Sequence, residues 1–152
     1  MNCCIFIQIG ISSIVATSVM TLFSYIISAS FRELFKEPVL LSYCLTKFNV
    51  SLSKSVKTAL GWLIHYAIGF LFVVGYHFVW EYGIMGKNWM SALILGAASG
   101  IIGILGWAAI FKISMYDPKI DFKGYYLQLF FAHVIFGLAA LAIFTLFYYQ
   151  KA

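Results

Sequence analysis

Four long apolar runs, separated by shorter polar stretches, divide this chain. They cover roughly residues 5–29, 59–81, 90–113 and 125–148. Because the hydrocarbon core of a bilayer is about 30 Å thick, a helix needs about 20 apolar residues to cross it, and each run is long enough. Lipid offers no hydrogen-bond partner to a bare backbone amide, so each run is expected to be helical. The pattern predicts an all-α membrane protein with four transmembrane helices in a single domain, residues 1–152.

The polar stretch after the first run contains a shorter helical pattern. Pro38 follows the sequence FRELFKE and suits the first turn of a helix. Apolar residues then recur on one helical face: Leu40, Leu41, Cys44, Leu45 and Phe48. This pattern predicts a short amphipathic helix at the membrane interface in the first loop. A helix docked on the ends of the spans would show the same pattern, and the sequence leaves both open.

The composition agrees with a lipid environment. Hydrophobic residues make up 63% of the chain and charged residues 10%, whereas a soluble domain has about 25% charged residues to keep its surface wetted. A net charge of +5 is compatible with nucleic-acid binding, but the basic residues lie in loops between apolar runs and form no separate basic face. The expected surroundings are therefore the lipid bilayer and other membrane subunits, and no nucleic acid.

The basic residues predict the orientation of the chain. Eight of the ten Lys and Arg residues lie in the loops between runs one and two and between runs three and four, and only Lys87 and Lys151 lie on the other side. The positive-inside rule then places both basic loops in the cytoplasm and both termini outside. No basic residue precedes the first apolar run and no small-residue cleavage site follows it, so we interpret this run as a retained span.

The two halves of the chain show weak internal similarity. Aligning His65 with His133 also aligns Gly69 with Gly137. A separate alignment of the first and third runs pairs Gly10 with Gly96, Ser13 with Ser99 and Ser28 with Ser114. Each half, residues 1–86 and 87–152, would be one helical hairpin. Two spans per copy give both copies the same orientation, which predicts parallel repeats related by a pseudo-two-fold axis along the membrane normal.

Small and hydroxyl side chains predict which helix faces point inward. In the first run hydroxyls recur every three or four residues, on one helical stripe: Ser13, Thr17, Thr21, Ser24 and Ser28. Glycines with similar spacing allow close helix packing, and the candidate packing positions are Gly96, Gly100, Gly103, Gly106, Gly69 and Gly137. We therefore expect the first and third spans to cross tightly.

His65 and His133 are the candidate functional residues, together with Thr21 and Ser24, which we place at the depth of His65. The simplest interpretation is structural: neutral rings hydrogen-bonded to hydroxyls of neighbouring helices, typically for about 1 kcal/mol or less. The chain would then be a non-enzymatic scaffold or accessory subunit of a membrane complex, and a homodimer is plausible.

Two functional alternatives use the same histidines. Ionisable groups inside a membrane are candidates for a path, so His65 and His133 could line the route of a proton or small solute, although the runs offer no carboxylate or arginine to partner them. Alternatively, the two rings could be the axial ligands of a haem b in a four-helix electron carrier. Otherwise the sequence predicts no cofactor.

Other polar residues indicate no familiar chemistry. His77 and Glu81 are four residues apart at the outer interface, which predicts a local contact on one helix; two ligands are too few for a metal site. The chain has no phosphate-binding loop, nucleophile elbow or zinc-protease motif. We predict no catalytic residue and no metal, and the sequence leans against an enzyme.

The segment FRELFKEPVLLSYCL, after a Ser/Thr-rich first span, and the later GWLIHYAIG are similar to small four-span bacterial inner-membrane proteins. This resemblance implies a four-helix bundle in a bacterial inner membrane. It implies no activity and no site residues.

Overall fold

The computed structural model describes residues 3–48 and 51–149, and these form five helices and no strand. The helices are α1 (Cys3–Phe31), α2 (Glu37–Lys47), α3 (Lys54–Glu81), α4 (Trp89–Ser114) and α5 (Phe122–Tyr149). All but α2 are long and apolar enough to cross a membrane. The four predicted spans therefore correspond to α1, α3, α4 and α5, within a few residues at each end. Lys151, used above for the orientation, lies outside the described residues.

Polar side chains mark where the helices begin and end. Ser53 caps α3 by accepting from the N–H of its third residue, and Asn88 with Ser91 forms a reciprocal capping box at the start of α4. The carboxylate of Asp121 accepts two backbone N–H bonds in the first turn of α5. After α1, Arg32 has a φ of 56°, so the chain leaves the helix in a left-handed turn that leads to α2.

Helix α5 lies at the centre of the bundle and packs on both α1 and α4, whereas α1 and α4 make no extensive contact. The prediction that the first and third spans cross tightly is therefore wrong. Three glycines of α4 face α5: a Cβ at Gly100 would lie 3.1 Å from Phe130, one at Gly103 would lie 2.8 Å from the His133 ring, and one at Gly96 would lie 2.8 Å from the His133 carbonyl oxygen. Small residues did indicate a close helix interface, but its partner is α5.

The helix contacts do not repeat with two-fold symmetry. Helices α1 and α3 pack together, as do α4 and α5, so each predicted hairpin has an internal contact. A two-fold axis would also relate the α1–α5 contact to an α3–α4 contact, but α3 and α4 make no extensive contact. They are joined by hydrogen bonds between the Tyr76 hydroxyl and both the Leu95 carbonyl oxygen and the Ser99 hydroxyl, and by one from Trp80 to Ser91. The duplication stays a prediction.

Helix α2 is docked on the bundle, the second of the two arrangements that the sequence left open. Its residues Leu40, Leu41 and Cys44 are buried, and it packs mainly on α3, with a smaller contact to α4. Gly61 of α3 makes this docking possible, because a Cβ there would clash with the Pro38 carbonyl oxygen. We call this end of the bundle the α2 end, and the opposite end, near Tyr76 and Trp80, the far end.

Candidate functional site

A cavity of about 180 Å³, partly open to the outside of the bundle, lies where all five helices meet. Most of its wall is apolar, with Phe72, Phe136 and Trp107 providing aromatic surface. The polar side chains in the wall come from four different helices: Thr17 of α1, Glu37 of α2, His65 of α3 and His133 of α5. The two histidines singled out in the sequence thus line one cavity, and a carboxylate joins them.

His65 is hydrogen-bonded to Thr21 of α1, the residue that the sequence analysis placed at the same depth in the membrane. Its Nε2 lies 2.9 Å from Thr21 Oγ1. The Thr21 hydroxyl donates its own hydrogen to the Thr17 carbonyl at 2.6 Å, so it must accept from the ring. His65 therefore carries its hydrogen on Nε2 when neutral, and Nδ1 keeps an unprotonated lone pair.

His133 is held by its own helix. Its Nδ1 lies 2.8 Å from the Leu129 carbonyl oxygen, which can only accept, so Nδ1 carries the hydrogen and Nε2 keeps the lone pair. The Nε2–Cε1 edge of the ring faces α4 at Gly103, where a Cβ would lie 2.8 Å from Cε1. Gly103 thus makes room for the ring, and both histidines retain one nitrogen that can only accept.

Glu37 is the residue that sequence reasoning missed. It is 2% exposed, and Ser24 of α1 donates to its Oε1 at 2.9 Å. Gln128 of α5 donates in turn to Ser24 at 2.6 Å. Ser24 therefore serves Glu37 and not His65. Within the described residues, Glu37 Oε2 has no hydrogen-bond partner, and neither has Thr17 Oγ1 in the same cavity wall.

Burial controls the ionisation of Glu37. Loss of water raises the pKa of its carboxyl group from 4.5 to about 7, although its own backbone, the hydrogen bond from Ser24 and the nearby amide of Gln128 oppose the shift. Near neutral pH the group is therefore divided between its protonated and ionised forms. A carboxyl group in this condition can exchange a proton without a large change in pH.

The other candidate glycines have different surroundings. A Cβ at Gly69 would clash with the Thr17 hydroxyl, and one at Gly137 would lie 2.5 Å from the Ala92 carbonyl oxygen, so both allow close packing. Gly106 differs, because a Cβ there would meet nothing within 4 Å. Gly106 lines the cavity, so its predicted role as a packing residue does not match its position.

His77 and Glu81 form no site. His77 is buried and stacks on Phe144 of α5 with the ring planes 7° apart, and Glu81 is exposed. The hydrogen bonds found among the described residues include none between the two. The predicted local contact is thus replaced by packing of His77 against another helix.

Residues 3–48 and 51–149 contain no group of three His, Cys, Asp or Glu side chains that could hold a metal ion. Glu37, His65 and His133 share the cavity wall without converging on one point. No family model matches the chain, and no curated protein or solved structure matches it either. The site must therefore be interpreted from its own chemistry.

Proposed function

We propose that this chain is a small membrane transporter in which the cavity carries a proton or a small solute. The observation behind this choice is the position of Glu37, which lines the same cavity as His65 and His133. The sequence argument against a path was the lack of a buried carboxylate, and Glu37 supplies one. Ionisable groups held inside a bundle at a cost in stability are typical of proton and ion pathways.

The unpaired atoms of the cavity support the same proposal. Buried polar groups normally have hydrogen-bond partners, and each exception requires an explanation. Here Glu37 Oε2 and Thr17 Oγ1 lack a partner among the described residues, and both residues line the cavity. Ser12, Tyr125 and Gln128 also have a buried polar atom without a partner, but they do not line the cavity. A small movement of the Glu37 or Thr17 side chain would let a water, proton carrier or solute in the cavity bond to these oxygens.

We place the protein in a bacterial inner membrane, with the α2 end in the cytoplasm and both termini outside. The basic residues support this orientation, since those of the described chain concentrate at the α2 end. The protonatable site then lies nearer to the cytoplasm. We also propose that the two hairpins arose by duplication, and that α2 was inserted into the first copy.

Proton flux into liposomes tests the proposal. Purified protein is reconstituted with a pH-sensitive dye inside the vesicles, and a potassium gradient with valinomycin supplies the driving force. We expect flux above that of empty liposomes, and its loss in Glu37→Gln. Glu33→Gln is the matched control, because Glu33 lies in the same segment but outside this cavity. Equal flux in all vesicles, also when candidate solutes are added, would refute transport.

A scaffold or accessory subunit is the second candidate, and the bonded histidines favour it. His65 and His133 each already have one hydrogen bond in the protein, as structural rings would. This candidate predicts that other membrane subunits purify with the chain in mild detergent, and that His65→Ala weakens that association without any effect on flux.

The haem alternative fits the cavity poorly. A volume of about 180 Å³ is below the roughly 300 Å³ at which pockets for drug-sized ligands begin, and a haem is larger still. One possible axial nitrogen, His65 Nε2, is also engaged with Thr21. Absorption spectra of the purified protein, oxidised and reduced, test this alternative: a Soret band lost in His133→Ala would support it.

A further inference from the structure

Helices α3 and α4 leave an opening between them on the side of the cavity. Hydrogen bonds from Tyr76 and Trp80 join the two helices toward the far end, and α2 contacts both at its own end. Between these points Ile68 of α3 and Ile102 of α4 line the cavity while also being exposed on the outside of the bundle. The opening therefore faces the lipid.

Both histidines of this cavity leave one ring nitrogen that accepts a hydrogen bond. The bonds to Thr21 and Leu129 leave His65 Nδ1 and His133 Nε2 as lone pairs, and Glu37 Oε2 is an acceptor whenever the carboxyl group is ionised. Such a wall disfavours anions and carbonyl groups, because its donors are limited to the Thr17 hydroxyl, the indole N–H of Trp107 and a protonated Glu37. It favours a ligand that donates several hydrogen bonds.

The aromatic wall selects further among donors. Phe72, Trp107 and Phe136 line the cavity, and aromatic faces attract a desolvated cation. The volume is close to that of an engineered cavity of about 150 Å³ that binds benzene. One ring or a short branched chain with a single ammonium group would fill this space.

We infer that the cavity binds a lipophilic amine, which enters from the bilayer between α3 and α4 as the neutral base and is held as an ammonium ion beside Glu37. This inference rests on the proposed function and names its solute class. The proton balance is closed: the carboxyl group of Glu37 loses a proton, the amine nitrogen gains it, and an ion pair is formed. An alkylamine, with a pKa of about 10, takes a proton readily from an acid that titrates near neutrality.

Three probes of the same shape and different charge test the inference: benzylamine, benzyl alcohol and benzoate. The full-length protein is placed in phosphatidylcholine nanodiscs, which carry no net charge, and its unfolding temperature is measured at neutral pH with increasing probe. A ligand that binds only the folded protein raises this temperature in a saturable way. We expect that effect from benzylamine alone.

Variants assign the effect to the cavity. Because a charge-assisted hydrogen bond is worth about 1.5–3 kcal/mol, Glu37→Gln should weaken the benzylamine response by roughly 10- to 100-fold. Glu33→Gln should leave it unchanged. Gly106→Leu is a second route to the answer should Glu37→Gln fold poorly: its side chain would point into open space at the cavity, and should block the response without removing any polar group.

The outcomes separate this inference from the proposed function. Benzylamine binding that needs Glu37, with no proton flux in liposomes, would support the amine site and refute transport. Flux that needs Glu37, with no response to benzylamine, would support transport and overturn the amine site. An equal response to benzyl alcohol, or a benzylamine response that survives in both Glu37→Gln and Gly106→Leu, would also overturn it.

Discussion

Replacing Glu37 by glutamine changes one ionisable group at the cavity and little else, because glutamine has nearly the same shape and keeps an oxygen that Ser24 can bond. In the folded protein the carboxyl group has a pKa of about 7, against 4.5 in its ordinary state. The folded state therefore holds this proton more tightly than the unfolded state. Raising the pH from about 4.5 to 7 removes the proton first from the unfolded chain and so lowers the free energy of unfolding.

The size of the effect follows from the shift. Each pKa unit corresponds to about 1.4 kcal/mol, so the ionised Glu37 costs about 3 kcal/mol once the pH exceeds 7. Between about pH 5 and pH 8, the wild-type free energy of unfolding should fall by roughly 2–3 kcal/mol through this group. Glu37→Gln should lack this component and should be the more stable protein at the alkaline end.

Equilibrium unfolding in mixed micelles of dodecyl maltoside and SDS, followed by near-ultraviolet circular dichroism, measures this difference. The titratable groups near Glu37, among them Lys36, His65, His133, Tyr25 and Tyr125, are present in both proteins. The difference between the two pH profiles therefore isolates the carboxyl group. Glu33→Gln serves as the control and should follow the wild type. Parallel profiles for wild type and Glu37→Gln would refute the buried, proton-exchanging carboxyl group and, with it, the chemistry assigned to the cavity.

Three further predictions use the same unfolding assay or simple labelling. Thr21→Val removes the hydroxyl that binds His65 and should lower the free energy of unfolding by up to about 1 kcal/mol. Thr58→Val, on an exposed face of α3, should lower it much less. Equal losses would contradict the interhelical hydrogen bond. Gly106→Ala should stabilise the protein by up to about 1 kcal/mol, because a helical glycine with open space around it gains from a methyl group. Gly137→Ala should destabilise it by about 1–3 kcal/mol, because its Cβ would lie 2.5 Å from a backbone oxygen. The same sign for both variants would refute the assigned packing. Cys44 is 3% exposed, and burial raises the pKa of its thiol. In a variant that lacks Cys3 and Cys4, maleimide should therefore label Cys44 slowly at neutral pH and rapidly after SDS is added. Fast labelling before SDS would show that α2 is not docked.

The spans could be predicted from the sequence because length and hydropathy alone decide whether a helix can cross a bilayer. The hydrogen bond between Thr21 and His65 was also within reach, since both residues lie on inward faces at similar depth. The helix that packs on the α4 glycines could not be predicted, because a small residue indicates a close approach but does not identify the approaching helix. Both α1 and α5 presented suitable surfaces, and the bulkier α5 fills the groove.

Glu37 could not be predicted for a different reason. A glutamate followed by proline at the start of a short helix is typical of a solvated helix end, where the carboxylate favours the positive end of the helix dipole. Only the docking of α2 against Gly61 carries this residue into the bundle. One signal did exist in Gln128, an amide inside the apolar run YYLQLFF, which indicates that a polar partner lies opposite.

The asymmetry of the bundle explains why the site exists at all. If α3 and α4 packed as α1 and α5 do, their contact would close the space that now forms the cavity. Instead α2 contacts both helices at one end, while Tyr76 and Trp80 join them toward the other. The same helix that helps to hold the opening apart also brings in the carboxyl group that faces it. A shortened loop without α2 should therefore lose the cavity and its charge together, and the benzylamine response with them.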